Sequence, residues 1–468
     1  MKNPRLLPVW ESRQLILSAL EKNNVVIVES PTGSGKTTQI PLILKEAGYA
    51  GKGVIGITQP RRIATLSVCS FIQEQIKDEN LSPDYCAYKM RFYDTTGEST
   101  RIKILTDGML LQEIKADPDL SKYSVIMVDE AHERSLNIDF ILGLLKQLLQ
   151  RRKDLKVIIS SATINTKTFA SFFKDENGNE MPVVSIKGKT YNVDVKYFPL
   201  ENSKDPEELS YSVCRIINSL LKKFRETDYT DNKDTLVFLS GEQDIKTVMA
   251  DLYSNCDYRH LQVYPLYGRL NKEEQERVFE ETEKGKMKVV LATNIAETSL
   301  TIDGIKVVID SGSAKINFYN QYDFTSSLVS KPISRSSAMQ RTGRAGRTSD
   351  GTCFRLYSKE DYEGRTLYTR EEILRTDLSE VVLRMADLGI TEFETFPYIT
   401  KPPKEALKSG EHTLRLLDAI DSSRHLTPTG EIMVRYPLLP RHSKCLVYTI
   451  KNYPEIISNI CVCIFHLL

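Results

Sequence analysis

Three short runs in this chain have residue types and spacing that could act on a phosphate. The first is GSGKTT, Gly33–Thr38, set between the apolar run Val25–Val28 and the helical pattern TQIPLILKEAG. Gly33 and Gly35 let backbone N–H groups approach a phosphate with no Cβ in the way, and Ser34 and Thr38 complete the loop. The start of the following helix adds partial positive charge. Lys36 is placed to reach β/γ-phosphates and Thr37 to ligate Mg²⁺. The strict pattern wants Gly five residues before Gly35, where this chain has Ser30. The second run is Asp129–Glu130, directly after the apolar run Val125–Val128. A carboxylate at a strand end facing such a loop suits a grip on Mg²⁺, which makes Thr37, Asp129 and Glu130 the candidate metal residues. Glu130 can also polarise an attacking water. The third run is QRTGRAGR, Gln340–Arg347, in which Arg344 and Arg347 share one face if helical. Arginines of this kind stabilise charge on a transferring phosphoryl group; the plainer alternative is an RNA- or phosphate-binding basic patch without catalysis.

What must position these residues is visible in the hydrophobic pattern. Short β-branched runs recur, each followed at once by a polar motif. Val54–Ile57 leads into TQPRR, Val157–Ile159 into SSAT, Leu236–Leu239 into SGEQD, Val289–Leu291 into ATNIAETS and Val307–Ile309 into DSGS. Continuous apolar runs of this length predict strands buried on both faces. Helical patterns such as Ser135–Gln150 and Glu273–Glu283 lie between them, so a parallel α/β sheet is expected in each half. Ligands of such sheets bind outside the carboxyl ends of the strands, where the polar motifs sit. After Tyr357 the strand pattern stops. Asp377–Leu388 and Pro403–Ile420 read as amphipathic helices, LTPTGEIM (426–433) as a short strand and turn, and Lys222–Asp234 as a surface loop.

Bulk properties are compatible with this and exclude some alternatives. The 468 residues suggest about three domains. The formal net charge is only +1, so any basic nucleic-acid surface must be local. Eight cysteines without a CxxC pair favour reduced thiols in a cytoplasmic protein over a metal or disulfide framework. No apolar stretch reaches the roughly 18 residues of a membrane span.

In this order, GSGKTTQIP, TQPRRIAT, TDGMLLQE, DEAHERSL, SAT, LVFLSGEQDI, ATNIAETSLTI and QRTGRAGR resemble the DEAH-box (DEAH/RHA) RNA helicases of superfamily 2. The resemblance implies two tandem RecA-like α/β domains, 1–187 and 188–365, then a winged-helix domain, 366–436, and the start of a helical ratchet-like domain, 437–468. It implies ATP, with other NTPs possible, and Mg²⁺, and 3′-to-5′ movement on single-stranded RNA or on a duplex with a 3′ tail. Carried over by position, Lys36, Thr37, Asp129 and Glu130 act on phosphate, metal and water. His132, Ser161 and Thr163 link nucleotide state to movement. Gln340, Arg344 and Arg347 complete the site from the second domain, with Asp303 as the ribose contact. Arg61, Arg91, Thr106, Ser240, Gly241 and Thr293 resemble positions that hold the RNA backbone. Lys315–Val329 resembles the β-hairpin that bounds the RNA channel, although its alternation also suits a plain exposed hairpin. Phe71 stands where the family has an adenine-stacking Arg, and Phe279 resembles its base-stacking Phe. The base is then expected between two rings, unless Phe71 is simply a core residue of its helix.

The same motifs would serve a nucleotide-controlled RNA clamp or remodelling ATPase that does not unwind, or a DNA helicase. The run EIISNICVCIFHLL, with Ile456, Ile457, Ile460, Val462, Ile464 and Phe465, predicts an apolar helix with no later helix to pack against. A shortened form of a longer protein is the expectation, weak in RNA binding and prone to self-association.

Overall fold

The computed structural model describes residues 4–467 apart from 32, 163–165, 176, 189–190, 203–204, 232, 298–301, 303, 321–324, 348 and 437. Thr163 and Asp303 therefore lie outside the described residues.

The first half folds around an eight-stranded sheet of β1 (Val25–Glu29), β2 (Val54–Gln59), β3 (Cys86–Met90), β4 (Tyr93–Asp94), β5 (Ile102–Thr106), β6 (Tyr123–Val128), β7 (Lys156–Ser161) and β8 (Val183–Ser185). Their spatial order is β4-β3-β5-β2-β6-β7-β1-β8, parallel except for β4. The apolar runs are strands because they are buried on both faces, as helices cover each side of the sheet: β6 has no exposed residue over its whole length. This order places the motifs. Going across β5, β2, β6, β7 and β1, the strand ends deliver TDG, QPRR, DEAH, SAT and the glycine-rich loop side by side on one edge.

The second half builds a parallel sheet from β9 (Val193–Tyr197), β10 (Thr235–Phe238), β11 (Leu261–Leu266), β12 (Met287–Ala292), β13 (Val307–Asp310) and β16 (Gly351–Arg355), in the order β11-β12-β10-β13-β16-β9. Between β13 and β16 an antiparallel hairpin projects, β14 (Ser313–Asn320) with β15 (Thr325–Pro332). ATNIAE, SGEQD and DSGS thus emerge together at the ends of β12, β10 and β13.

A mainly helical unit follows, with helices at Ser379–Asp387, Lys404–Leu416, Pro428–Met433, Pro440–Asn452 and Ile457–Leu467. It is welded to the first sheet domain: Ile138, Ile141 and Leu145 share one buried cluster with Ile373, Val382, Phe393 and Leu414. The helix Leu136–Arg151 approaches so closely that a Cβ on Gly143 would lie 2.3 Å from Phe396 Cε1. The last helix packs on Pro440–Asn452; Ile464 is buried, while Ile456 and Val462 are exposed.

Three sequence expectations need correction. Glu273–Glu283 is not one helix. A capping box on Asn271 starts Lys272–Glu276, a single 3-10 turn follows to Phe279, and the chain then straightens. The Lys288 ammonium takes the carbonyls of Val278 and Glu280, and the run's clustered glutamates repel one another at helical spacing. Lys222–Asp234 is not wholly a loop, because Leu220, Leu221 and Phe224 extend the buried stripe of the helix Pro206–Glu226. LTPTGEIM contributes one β-bridge, Ile420 with Leu426, and then a helix. Thr427 Oγ1 accepts from the Gly430 N–H at 3.0 Å and Pro428 takes the first helical position.

All eight cysteines are reduced, five of them buried. Among the described residues no helix is long and apolar enough to cross a membrane.

Candidate active site

The glycine-rich loop leaves β1 and turns into the helix Lys36–Glu46 through two left-handed glycines, Gly33 at φ 85° and Gly35 at φ 87°. Gly35 is needed twice over, since a Cβ there would also lie 2.7 Å from Leu7 Cδ1. Ser30 is integrated into the loop: its Oγ lies 2.7 Å from Ser34 Oγ, and its N–H donates to Ser161 O at 3.3 Å. The departure from glycine thus adds a cross-brace. The Lys36 ammonium folds back over the loop, 3.4 Å from Ser30 O. Thr38 Oγ1 donates to Gly35 O at 3.3 Å and closes the first turn.

Thr37 Oγ1 donates to Asp129 Oδ2 at 2.5 Å, joining the loop to the end of β6. The same carboxylate oxygen accepts from Gln59 Nε2 at 2.6 Å. Gln59 is a residue that sequence reasoning passed over; it ends β2, the strand beside β6, inside a motif in which only the arginine attracted attention. Asp129 Oδ1 is buried without a hydrogen-bond partner among the described residues. Burial, with Glu130 beside it, pushes the Asp129 carboxyl above its usual range, while Lys36, Ser160 and Thr37 oppose the shift. A hydroxyl and a carboxylate with one oxygen unclaimed form a hard-oxygen pair that fits Mg²⁺, which takes few protein ligands and fills its octahedron with phosphate and water. No cluster of three or more His, Cys, Asp or Glu that could hold a metal occurs among the described residues.

Glu130 has φ 52°, in the left-handed region, which turns the chain sharply after β6 and directs its side chain inward. His132 Nδ1 accepts from the Ala162 N–H of the SAT run at 3.2 Å. The ring's proton is therefore on Nε2, which lies 3.3 Å from Glu130 Oε2 without hydrogen-bond geometry. Burial lowers the His132 pKa to about 4, so the ring is neutral. Ser161 ends β7 and donates to Ala162 O at 2.9 Å. His132 and Ser161 are thus brought together with the carboxylates.

From the second sheet, the helix Arg335–Thr342 and the turn after it face this edge. The three arginines of QRTGRAGR differ. Arg341 is fully buried, 2.7 Å from Asp310 Oδ1 and 3.1 Å from Glu297 Oε2, and is structural. Arg344 is buried, and its guanidinium donates to Glu297 O. Burial together with Arg347 and Arg61 holds its pKa well below the usual arginine value; Glu130, across the cleft, acts in the opposite direction. Gln340 lines a cavity of about 440 Å³ with His132, Glu133 and Lys315. Its Nε2 is buried without a partner among the described residues.

The other candidates are more dispersed. The Arg61 guanidinium spans the domains, donating to Ile295 O at 2.5 Å and Glu133 Oε1 at 3.1 Å. Arg91 stands beside exposed Phe92, and both line a cleft of about 470 Å³ with Arg61 and Leu270. Thr106 is half-buried at the start of the helix Asp107–Ala116. Ser240 bonds Asp244, and Gly241 lets the Lys315 side chain pass, 2.8 Å from where a Cβ would be. The Thr293 N–H donates to Leu266 O at 3.1 Å. Phe71 is half-buried on the helix Arg62–Ile76 and Phe279 is 40% exposed.

A phosphate loop on one RecA-like sheet, faced by arginines from a second, is the layout of a two-domain P-loop NTPase. Residues 11–172 match the DEAD/DEAH box helicase family, 214–349 the helicase conserved C-terminal domain, and 410–438 the winged helix of the helicase associated domain (HA2). The chain is 49% identical over 453 residues to the ATP-dependent RNA helicase HrpA of Borreliella burgdorferi, across 96% of this chain and 53% of that protein. It is 43% identical over 455 residues to HrpA of Escherichia coli, across 96% of this chain and 34% of that protein. The crystal structure of Escherichia coli DEAH/RHA helicase HrpB matches with a TM-score of 0.83 at 31% identity, over 94% of this chain and 54% of that one. This chain belongs to the DEAH-box helicase family, and it spans about half the length of the first of these relatives and about a third of the second.

Proposed function

We propose that the chain hydrolyses NTPs at the cleft between its two sheets and uses domain closure to move 3′ to 5′ along single-stranded RNA and to unwind duplexes. The observation that carries this reading is the cavity that Gln340, on the second domain, lines together with His132 and Glu133 on the first. Hydrolytic groups divided between two domains couple turnover to their closure. Lys36 and the loop N–H groups hold the triphosphate, and Thr37 and Asp129 hold Mg²⁺, which supplies charge neutralisation at the phosphates when bound. Glu130 accepts the proton of the attacking water, and His132, bonded to the Ala162 N–H of the SAT run, stands 3.3 Å from that carboxylate. Arg344 and Arg347, with Gln340 beside the cleft, stabilise charge developing on the γ-phosphoryl group. The RNA candidates mix arginine with hydroxyl and backbone donors, a set suited to phosphate and sugar rather than to base edges. The names of the relatives, ATP-dependent RNA helicases, favour RNA as the track.

Strand displacement on 3′-tailed, 5′-tailed and blunt duplexes, run beside phosphate release, tests the reading. Displacement confined to the 3′-tailed RNA supports it. RNA-stimulated hydrolysis without displacement would make the chain a clamp or remodelling ATPase, and stimulation by DNA alone would make it a DNA helicase.

A further inference from the structure

The short segment Glu371–Arg375 touches three parts of the molecule at once. Ile373, at its middle, is buried in the core that the first sheet domain shares with the helical unit, so the segment is moored to that combined body. On one side it grips the loop after the DEAH run. Leu136 N–H donates to Glu372 Oε2 at 2.9 Å, Glu372 N–H donates to Arg134 O at 3.3 Å, and Arg134 Nη1 lies 3.5 Å from Glu371 Oε1. Arg134 is itself locked: it bonds both oxygens of Asp139, at 2.6 and 2.9 Å, and Thr400 Oγ1 at 2.7 Å. Glu130 and Arg134 are both left-handed and bracket a single 3-10 turn, so this loop is a short stiff link between the catalytic carboxylate and the segment.

On its other side the segment grips the hairpin. Arg375 Nη1 donates to Asn317 O at 2.9 Å, and Tyr319 N–H donates to Arg375 O at 3.0 Å; both partners are on β14. The base of β14 is held elsewhere. Lys315 N–H donates to Ser240 O at 3.3 Å, at the end of β10 in the second domain. The hairpin is a continuous ladder from Ser313–Pro332 to Asn320–Thr325 and moves as a unit. A rigid ladder held at its base by one domain and at its middle by another cannot stay still when the two move relative to each other. It must tilt about the middle contact.

We infer that Glu371–Arg375 is the fulcrum that converts closure of the nucleotide cleft into tilting of the β14–β15 hairpin, with Arg375 as its positioning residue. What the hairpin presents is suited to pushing on a nucleic-acid strand: Phe318 is exposed, with the Lys331 ammonium 4.8 Å from its ring centroid, and Leu328, paired with Asn317, is exposed on the opposite face. The inference rests on the reading of the cleft as a nucleotide site, and the test separates the two.

The test is hydrogen exchange by mass spectrometry on the full chain, with and without a non-hydrolysable ATP analogue and Mg²⁺. The native chain should show a nucleotide-dependent change in exchange both in Gly33–Thr38 and in the hairpin peptides. Arg375→Met keeps the side-chain stem but removes the donors. It should bind the analogue with unchanged affinity, keep the change at Gly33–Thr38, and lose more than half of the hairpin response; Arg375→Lys should restore part of it. Strands displaced per NTP hydrolysed should fall in the same variant while RNA-stimulated hydrolysis persists. If Arg375→Met does not fold, Arg375→Gln provides the comparison. A hairpin response as large in these variants as in the native chain overturns the inference, as does a native hairpin that stays silent although the analogue binds. Failure to bind the analogue at all overturns the nucleotide reading and the fulcrum with it.

Discussion

Replacing Arg341 by Met should damage the fold of the second domain, whereas the same change at Arg344 should damage turnover. Arg341 is fully buried between two carboxylates, with Phe238 under its guanidinium at 4.8 Å. Removing one partner of a buried pair typically costs about 3–5 kcal/mol, because the remaining charge is left uncompensated. Here Asp310 carries most of that loss. Glu297 is partly exposed and can turn to water, while Asp310 is fully buried and would keep, among the described residues, Tyr357 Oη, at 2.8 Å, and the Gly312 N–H, at 2.9 Å. The lower end of the range, about 3 kcal/mol, is therefore expected. For a domain of this size that is a fall in melting temperature of roughly 6–12 °C, at about 2–4 °C per kcal/mol. Differential scanning fluorimetry without nucleotide measures it. Arg344 presents the opposite case. Burial and the neighbouring Arg347 and Arg61 oppose its charge in the free protein, so Arg344→Met should leave the melting temperature unchanged or raise it, and lower kcat. A shift below about 2 °C for Arg341→Met, or equal destabilisation by both changes, would refute this division of roles within one motif.

Lys36→Ala should abolish turnover, and Arg347→Ala should lower kcat by more than it weakens nucleotide binding, since a finger acts mainly on the transition state; steady-state kinetics beside equilibrium binding separate the two effects. The Asp107 pKa is pushed up to about 7 by burial, with Thr58 opposing and Glu133 and Asp129 adding. Above about pH 4 the unfolded chain loses this proton while the folded chain keeps it, so native stability declines as pH rises to about 7. The melting-temperature advantage of Asp107→Asn should widen over that window and then level off; a gap independent of pH would contradict it. Gly143→Ala places a methyl against Phe396 and should cost about 1–3 kcal/mol by overpacking, read as easier proteolysis between the first domain and the helical unit. If Phe71 and Phe279 stack on the base, kcat/KM should be similar for ATP, GTP, CTP and UTP; a strong preference for ATP would count against that contact.

The sheets were legible because buried parallel strands write themselves as continuous apolar runs, and each such run became a strand with its motif at the carboxyl end. The meeting of Thr37 with Asp129 was legible for the same reason: loop, strand end and helix start are local in sequence. What was not legible depends on neighbours distant along the chain. Gln59 reaches Asp129 only because β2 lies beside β6, and the strand order is not written in any one run. The three arginines of QRTGRAGR look alike in sequence; Asp310 and Glu297 decide which one is structural. The helix predicted over Glu273–Glu283 ended early because Lys288, on the next strand, takes its carbonyls. The docking of the helical unit on the first domain through Gly143 and Phe396 had no local signal beyond a glycine in a helical pattern.

The central claim is that hydrolysis is performed at the cleft and answers to RNA. Phosphate release by the full chain, measured with and without single-stranded RNA and repeated with Glu130→Gln, tests it most directly. The account predicts hydrolysis that rises severalfold on adding RNA and that disappears in Glu130→Gln while nucleotide is still bound. Turnover that survives in Glu130→Gln, or that ignores RNA at saturating concentration, would contradict it.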